Sequence, residues 1–272
     1  MADGLRLALS FFTVLPVRPG SYDRTTATRA MTLLPVIGLG LATTVSAVLV
    51  ACRALYYGSV LGSLLASAVA IAALAVFTRG LHLDGLVDLV DGLASYAPRE
   101  RALEIMRAPG IGALGAVVLV LSLVLQILAL TYCVARHRGT EAVFVALLAG
   151  RLAVLWSCTA GVPAARPDGL GAVVAGTVPR AVAIGWTVVL VAASGAFGYL
   201  DPDGGSAERA VRVVAAYAAA LLASAVLLRH VRRRLGGVTG DVFGAVLEIA
   251  TTVALLVLAV DPHDSRPPDA AA

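Results

Sequence analysis

The chain contains no lysine, so its positive charge comes entirely from arginine, and the net charge is only +4. With the many alanines, this points to a GC-rich coding sequence and away from a nucleic-acid surface. Charge of either sign is scarce, at 14% of the 272 residues, where a soluble domain would carry about a quarter. Cysteine is scarce too. Cys52, Cys133 and Cys158 are odd in number and sit in or beside apolar runs, so they are expected to be small buried hydrophobes and not a disulfide or metal set. A cleavable signal peptide is not expected, because Arg6 is followed by a short run and no small-residue cleavage site precedes Pro16.

What is abundant is hydrocarbon. Hydrophobic residues make up 59% of the chain and the mean hydropathy is +0.90, which predicts an integral membrane protein. Apolar runs of spanning length occur at about 30–52, 59–78, 111–135, 141–160, 181–200, 208–229 and 241–260. The expected fold is therefore an all-α polytopic membrane bundle of about seven transmembrane helices. Residues 5–17 are too short to span comfortably and read as an interfacial or partly re-entrant segment. The stretch 80–107 is too charged to face lipid and reads as surface or cavity-lining helix. Residues 1–260 form one membrane-embedded domain, and 261–272 (DPHDSRPPDAAA) read as a disordered tail.

Arginine also predicts orientation. The larger group runs from Arg6 to the Arg232–Arg234 cluster, and the smaller comprises Arg53, Arg136, Arg138, Arg209, Arg212 and Arg266. The positive-inside rule puts the larger group, with the N-terminus and the polar motifs, on the cytoplasmic side. RHVRRR at 229–234 reads first as a topology anchor.

The chemistry-bearing residues concentrate in a few places. In GLHLDGLVDLVDG, residues 80–92, a helical period puts Asp84, Asp88 and Asp91 within an arc of about 60°. Like charges so arranged repel, and a divalent cation relieves that repulsion. Oxygen-only ligands suit Mg²⁺ or Mn²⁺ better than zinc. Gly85 and Gly92 leave room for a phosphate. His82 lies opposite the stripe by helical angle and is a candidate proton donor or phosphate contact. Downstream, Arg101, Glu104 and Arg107 partly share a face, either as surface ion pairs or as a phosphate-binding set. Gly110, Gly112 and Gly115 follow, permitting close approach of a ligand or of another helix.

Arg151 falls near the middle of a span, where a charge costs at least about 2.5–3.5 kcal/mol and wants a partner. In GGVTGDVFGAVLEIATT, residues 236–252, the glycines suggest a flexible approach to a helix beginning near Thr239. Asp241, Glu248 and Thr252 share one face of that helix, with Glu248 about 10 Å deeper than Asp241. Matching depths predict a buried Arg151–Glu248 pair bracing the site from below. Two acidic clusters with arginines on one side suggest metal-assisted transfer of a phosphoryl group. From the residues alone, neither the alcohol nor the nucleotide is defined.

FFTVLPV, the PVIG of 35–38, GLHLDGLVDLVDG, the LEIMR of 103–107, the PDGLG of 167–171 and GGVTGDVFGAVLE, in that order and spacing, resemble the cobalamin synthase family, the adenosylcobinamide-GDP ribazoletransferases. The resemblance spans most of the chain. It implies a membrane transferase that joins a GDP-activated corrinoid to α-ribazole or its 5′-phosphate, releases GMP and requires Mg²⁺. From the residues themselves, His82, Asp84 and Asp88 are the expected catalytic residues, with Asp84 and Asp88 at the metal and Asp91 as third ligand or as support behind the ligands. Arg101, Glu104, Arg107, Thr239 and Asp241 are expected at substrate, with Arg151 and Glu248 as bracing. Partners implied are the corrinoid and nucleoside substrates and the bilayer, with a homo-oligomer or a complex with other cobamide-assembly enzymes left open. Two departures stand out: Ala108, Pro109 and Gly110 replace a polar stretch of the family, and Val14 stands where the family often has arginine. A CDP-alcohol phosphotransferase fits less well, because its aspartates are spread wider and no Ala-Arg follows Asp84-Gly85. Aspartate-rich prenyltransferases need two separated motifs. A transporter using Arg151 and Glu248 as coupling charges would gather its polar groups at mid-membrane rather than at one face.

Overall fold

The computed structural model describes residues 2–18, 23–56, 59–201 and 205–260; the tail assigned to 261–272, with Arg266, lies outside them. Among the described residues seven helices are long and apolar enough to cross a membrane. They are α3 (Leu34–Leu55), α4 (Val60–Phe77), α7 (Ala113–Ala135), α8 (Gly139–Ser157), α10 (Arg180–Leu200), α11 (Ala207–Leu235) and α12 (Gly240–Leu258). The protein is an all-α multi-pass membrane bundle, as its apolar runs require. Of the shorter helices described, α1 (Ala2–Phe12) and α2 (Arg24–Thr32) precede the first span, and α5 (Leu81–Ala94), α6 (Arg99–Ile105) and α9 (Gly169–Val174) lie in the connections between spans.

α8 and α12 form the centre, with 83% and 72% of their apolar stretches buried. Their small residues permit this. A side chain on Gly150 of α8 would meet the Thr251 hydroxyl of α12 at 2.6 Å, so the two backbones approach closely. α3, α5, α7 and α11 pack around this pair.

Short connections make successive spans antiparallel, which gathers the longer connections and the short helices at one end of the bundle. That end is tied together by arginines donating to backbone carbonyls. Arg79 reaches Ser10 O at 2.7 Å, Arg24 reaches Ala175 O at 2.9 Å, and Arg99 reaches both Leu235 O and Ala165 O at 2.8 Å. At the opposite end Arg209 of α11 bonds Glu141 of α8 at 2.6 Å and Asp201 at 2.7 Å. The sequence had assigned Arg209 to topology alone; its buried ion pairs also lock α8, α10 and α11.

One expected element is divided. The run at 30–52 breaks at Leu33, where α2 stops and α3 starts with Pro35 in its first turn. Proline has no N–H to donate, and the first turn is where none is needed.

Candidate active site

α4 turns into α5 through two residues in the left-handed region, Arg79 (φ 56°) and Gly80 (φ 65°). This break in the helical path offsets α5 from α4 and sets it alongside the first turns of α12 and α7. Its packed face carries His82, Gly85, Leu86, Leu89 and Gly92. The other face carries the aspartates, with Asp84 exposed and Asp88 and Asp91 half-buried.

Glycine brings the second acidic motif alongside. A Cβ on Gly85 would stand 2.8 Å from the backbone oxygen of Asp241. One on Gly244 would stand 2.9 Å from His82 O. α5 and the first turn of α12 therefore touch backbone to backbone, which sets Asp241 beside Asp84 and Asp88. Thr239 caps α12: its hydroxyl accepts the Val242 N–H at 3.3 Å and donates to Asp241 Oδ2 at 3.1 Å. Thr239 is itself buried, so its visible work is to aim Asp241.

The electrostatics follow from that crowding. Burial, then the charges of Asp84, Asp241 and Asp91, lift the Asp88 carboxyl to about 6, with Arg166 opposing. Arg166 is the positive counterpart. It donates to Leu103 O at 2.8 Å and lies 3.9 Å from Asp241. Burial, followed by repulsion from Arg107, lowers its pKa, while Asp241, Asp168 and Asp88 pull the other way. Arg107 pairs with Asp168, at the start of α9. Arg99, Leu103, Arg107 and Arg166 line a cleft of about 330 Å³. Arg166 had been read only as a topology arginine, and Asp168 only as part of PDGLG. The one signal for them was their place in a motif-bearing loop.

Several expectations change at this point. Asp91 does not stand free as a third ligand. Its Oδ2 accepts the Gly112 N–H at 2.7 Å and its Oδ1 the Gly115 N–H at 2.9 Å. Gly112 starts α7 without a side-chain cap of its own, so Asp91 supplies the cap from another helix. The glycines serve this contact, since a Cβ on Gly115 would meet Asp91 Oδ2 at 2.6 Å. His82 is inside α5, buried, and stacked on Phe12 with ring centroids 5.9 Å apart. Burial and the nearby charge of Arg151 depress its pKa to about 3. A neutral ring facing away from the carboxylates is not placed to donate a proton there. Arg101 and Glu104 form an exposed i,i+3 pair at 2.9 Å, the surface reading of those residues, although Glu104 also lines the cleft with Arg107 and Arg166.

The stretch 236–239 is not flexible either. Val238 N donates to Pro163 O and Ala165 N to Val238 O, both at 2.9 Å. Gly237 is packed so closely on residues 163–165 that any side chain would clash.

The deeper pair also needs correction. Arg151 and Glu248 are both buried but do not bond to each other. Glu248 Oε2 accepts from Gln126 Nε2 of α7 at 2.9 Å, and the same amide donates to Thr252 Oγ1 at 3.0 Å. Arg151 Nη1 reaches only its own helix, at Leu147 O (3.3 Å), and Nη2 has no hydrogen-bond partner. The signal missed was Gln126, an amide set in a strongly apolar span.

Among the described residues no three His, Cys, Asp or Glu side chains converge tightly enough to enclose a metal ion. The arrangement nonetheless fits Mg²⁺, which favours one or two carboxylates and fills its sphere with water and substrate phosphate oxygens. Asp84, Asp88 and Asp241 are near enough for their charges to repel, and any one or two of them could offer oxygens of that kind.

Comparison with known proteins identifies the family. Residues 4–259 match the family model described as cobalamin-5-phosphate synthase. The chain is 44% identical over 261 residues to an adenosylcobinamide-GDP ribazoletransferase of Frankia casuarinae, covering 94% of both chains. It is 39% identical to one of a Nocardioides species, covering 95% and 99%, and 32% identical to one of Corynebacterium diphtheriae, covering 95% and 92%. No solved structure matches.

Proposed function

The chain belongs to the cobalamin-5-phosphate synthase family, and from that premise we propose how its acidic end carries out nucleotide-loop assembly. The enzyme is a transferase of cobalamin biosynthesis. In our reading it joins the phosphocorrinoid of adenosylcobinamide-GDP to α-ribazole or its 5′-phosphate and releases GMP. A hydroxyl oxygen of the riboside attacks the phosphorus attached to the corrinoid. The bond from that phosphorus to the bridging oxygen breaks, GMP departs with that oxygen, and the hydroxyl proton goes to solvent.

Asp84 and Asp88, with Asp241 beside them, would hold Mg²⁺, which when bound offsets the charge on the diphosphate and on the leaving phosphate. Arg166 and Arg107 flank the same carboxylates and are positioned to take phosphate oxygens that the carboxylates repel. Asp91 holds α5 on α7, and Thr239 holds Asp241, so both orient the cluster without touching substrate.

The observation that carries this reading is the approach of Asp241 to Asp84 and Asp88, enforced by Gly85. Its test is a product assay: membranes containing the enzyme should release GMP only when both substrates and Mg²⁺ are present. GMP release without the riboside would overturn it.

We further propose that this end faces the cytoplasm, in keeping with its arginines. In a background without the three native cysteines, Ser95→Cys, at an exposed position, should resist an impermeant thiol reagent added to intact cells. Labelling from outside would reverse the orientation.

A further inference from the structure

A second built feature lies at the same end of the bundle, between α8, α10 and α11. It is a groove of about 550 Å³ that plays no part in the reading above. Its walls are largely hydrocarbon, from Ala153 and Trp156 of α8 and Leu221, Ala225 and Leu228 of α11. On α11 the lining positions 221, 225, 228 and 232 follow a helical stripe. The stripe ends at the mouth in Arg232, opposite Arg180 from the start of α10.

The two guanidiniums are held in place. Arg180 Nη2 donates to Ala160 O and Arg232 Nη2 to Gly161 O, each at 3.1 Å. Neighbouring carbonyls thus draw two like charges together, and among the described residues neither has a carboxylate partner. Among the described residues no acidic side chain lines the groove. α10 and α11 bury only 22% and 28% of their apolar stretches, so the groove opens on a side of the bundle that faces lipid.

From this geometry we infer that the groove is a binding site for an anionic phospholipid, with the phosphodiester at Arg180 and Arg232 and an acyl chain along Trp156, Leu221 and Leu228. A soluble phosphate would satisfy the arginines but leave the apolar wall uncovered. A zwitterionic lipid would cover the wall but carries a cation next to its phosphate. An anionic phospholipid meets both demands, in the way basic pockets between transmembrane helices take anionic headgroups.

Trp156 makes the inference testable, because the chain has only two tryptophans. In a Trp186→Phe protein it is the sole indole. The protein is reconstituted in vesicles of phosphatidylglycerol and phosphatidylcholine at fixed composition, with bromine quenchers on the acyl chains of one lipid or the other. We expect brominated phosphatidylglycerol to quench Trp156 more strongly. The relative binding constant should fall roughly fivefold for each arginine replaced, in R180Q and R232Q. Those changes also remove loop anchors, so Ala225→Phe, which fills the groove and leaves both arginines, provides an independent variant and should also abolish the preference. Equal quenching by the two lipids would overturn the inference. So would a preference that survives Ala225→Phe, or one that inorganic phosphate erases, since the site would then take soluble anions.

Discussion

Gly85 and Asp241 meet backbone to backbone: the space a Cβ on Gly85 would occupy lies 2.8 Å from the Asp241 oxygen. That contact joins two acidic motifs separated by more than half the chain. Gly85→Ala should force α5 away from α12. Overpacking of this kind costs about 1–3 kcal/mol of stability. A displacement of about 1 Å at a reacting centre can cost on the order of 100-fold in rate. We therefore expect turnover to fall far more than the thermal midpoint does. GMP release and thermal unfolding, measured on the same preparation, check this; full activity in Gly85→Ala would separate Asp241 from the site.

Asp84→Asn and Asp88→Asn should each abolish Mg²⁺-dependent turnover while the protein still inserts and folds. Stability separates this from simple damage. The Asp88 charge is unfavourable in the metal-free protein, so Asp88→Asn should be neutral or stabilising without divalent cations. Wild type should gain thermal stability on adding Mg²⁺, and Asp88→Asn should gain less. An equal gain in both would remove Asp88 from the metal.

The same carboxyl sets a pH dependence. Its folded pKa, about 6, is raised from 3.8, so in this range the folded state holds the proton more tightly than the unfolded state. Its contribution to metal-free stability is therefore fully present below about 4 and is lost as pH rises towards 6 and beyond. Mg²⁺ needs the ionised form, so metal affinity and turnover should rise with pH through about 6. The comparison that isolates this group is wild type against Asp88→Asn in thermal unfolding from pH 4 to 8, without divalent cations. Their difference should change across this window, and a constant difference would show that Asp88 does not titrate there.

Asp91 tests how the aspartates divide their work. It accepts two α7 backbone N–H groups, and losing a helix cap typically costs about 0.5–2 kcal/mol. Asp91→Ala should lower stability by about that much whether or not Mg²⁺ is present, and the stabilisation by added Mg²⁺ should persist. If Asp91→Ala instead removed the Mg²⁺ effect while leaving metal-free stability intact, Asp91 would be a ligand and not a cap.

What was legible in the sequence was whatever has a period or a cost. Spanning runs declare themselves by hydropathy, and the stripe of Asp84, Asp88 and Asp91 by helical angle. Which aspartate does what was not legible, because Asp91 is distinguished only by a helix terminus that folds onto it from 21 positions away. Arg166 was missed because a loop arginine has no periodicity. Its role comes from the tertiary contact between residues 163–165 and Val238. His82 was overvalued: its position opposite the stripe already argued for the packed face, where it is buried against Phe12.

Glu248 is bonded to Gln126 and not to Arg151. Depth along two helices suggested Arg151 as its partner, but depth places residues in a layer and not at each other's side chains. Glu248 shares that layer with Gln126, whose amide donates to both Glu248 and Thr252. A hydrogen bond to a charged group is worth about 1.5–3 kcal/mol, and a buried group left without its partner costs about that again. Gln126→Leu and Glu248→Met should each destabilise the protein, while the double variant should lose clearly less than the sum. Arg151→Met combined with Glu248→Met should come closer to additivity, because those two side chains interact only through space. Thermal or denaturant unfolding of the six proteins, wild type included, measures both cycles. Strong coupling in the arginine cycle and none in the glutamine cycle would restore the direct pair.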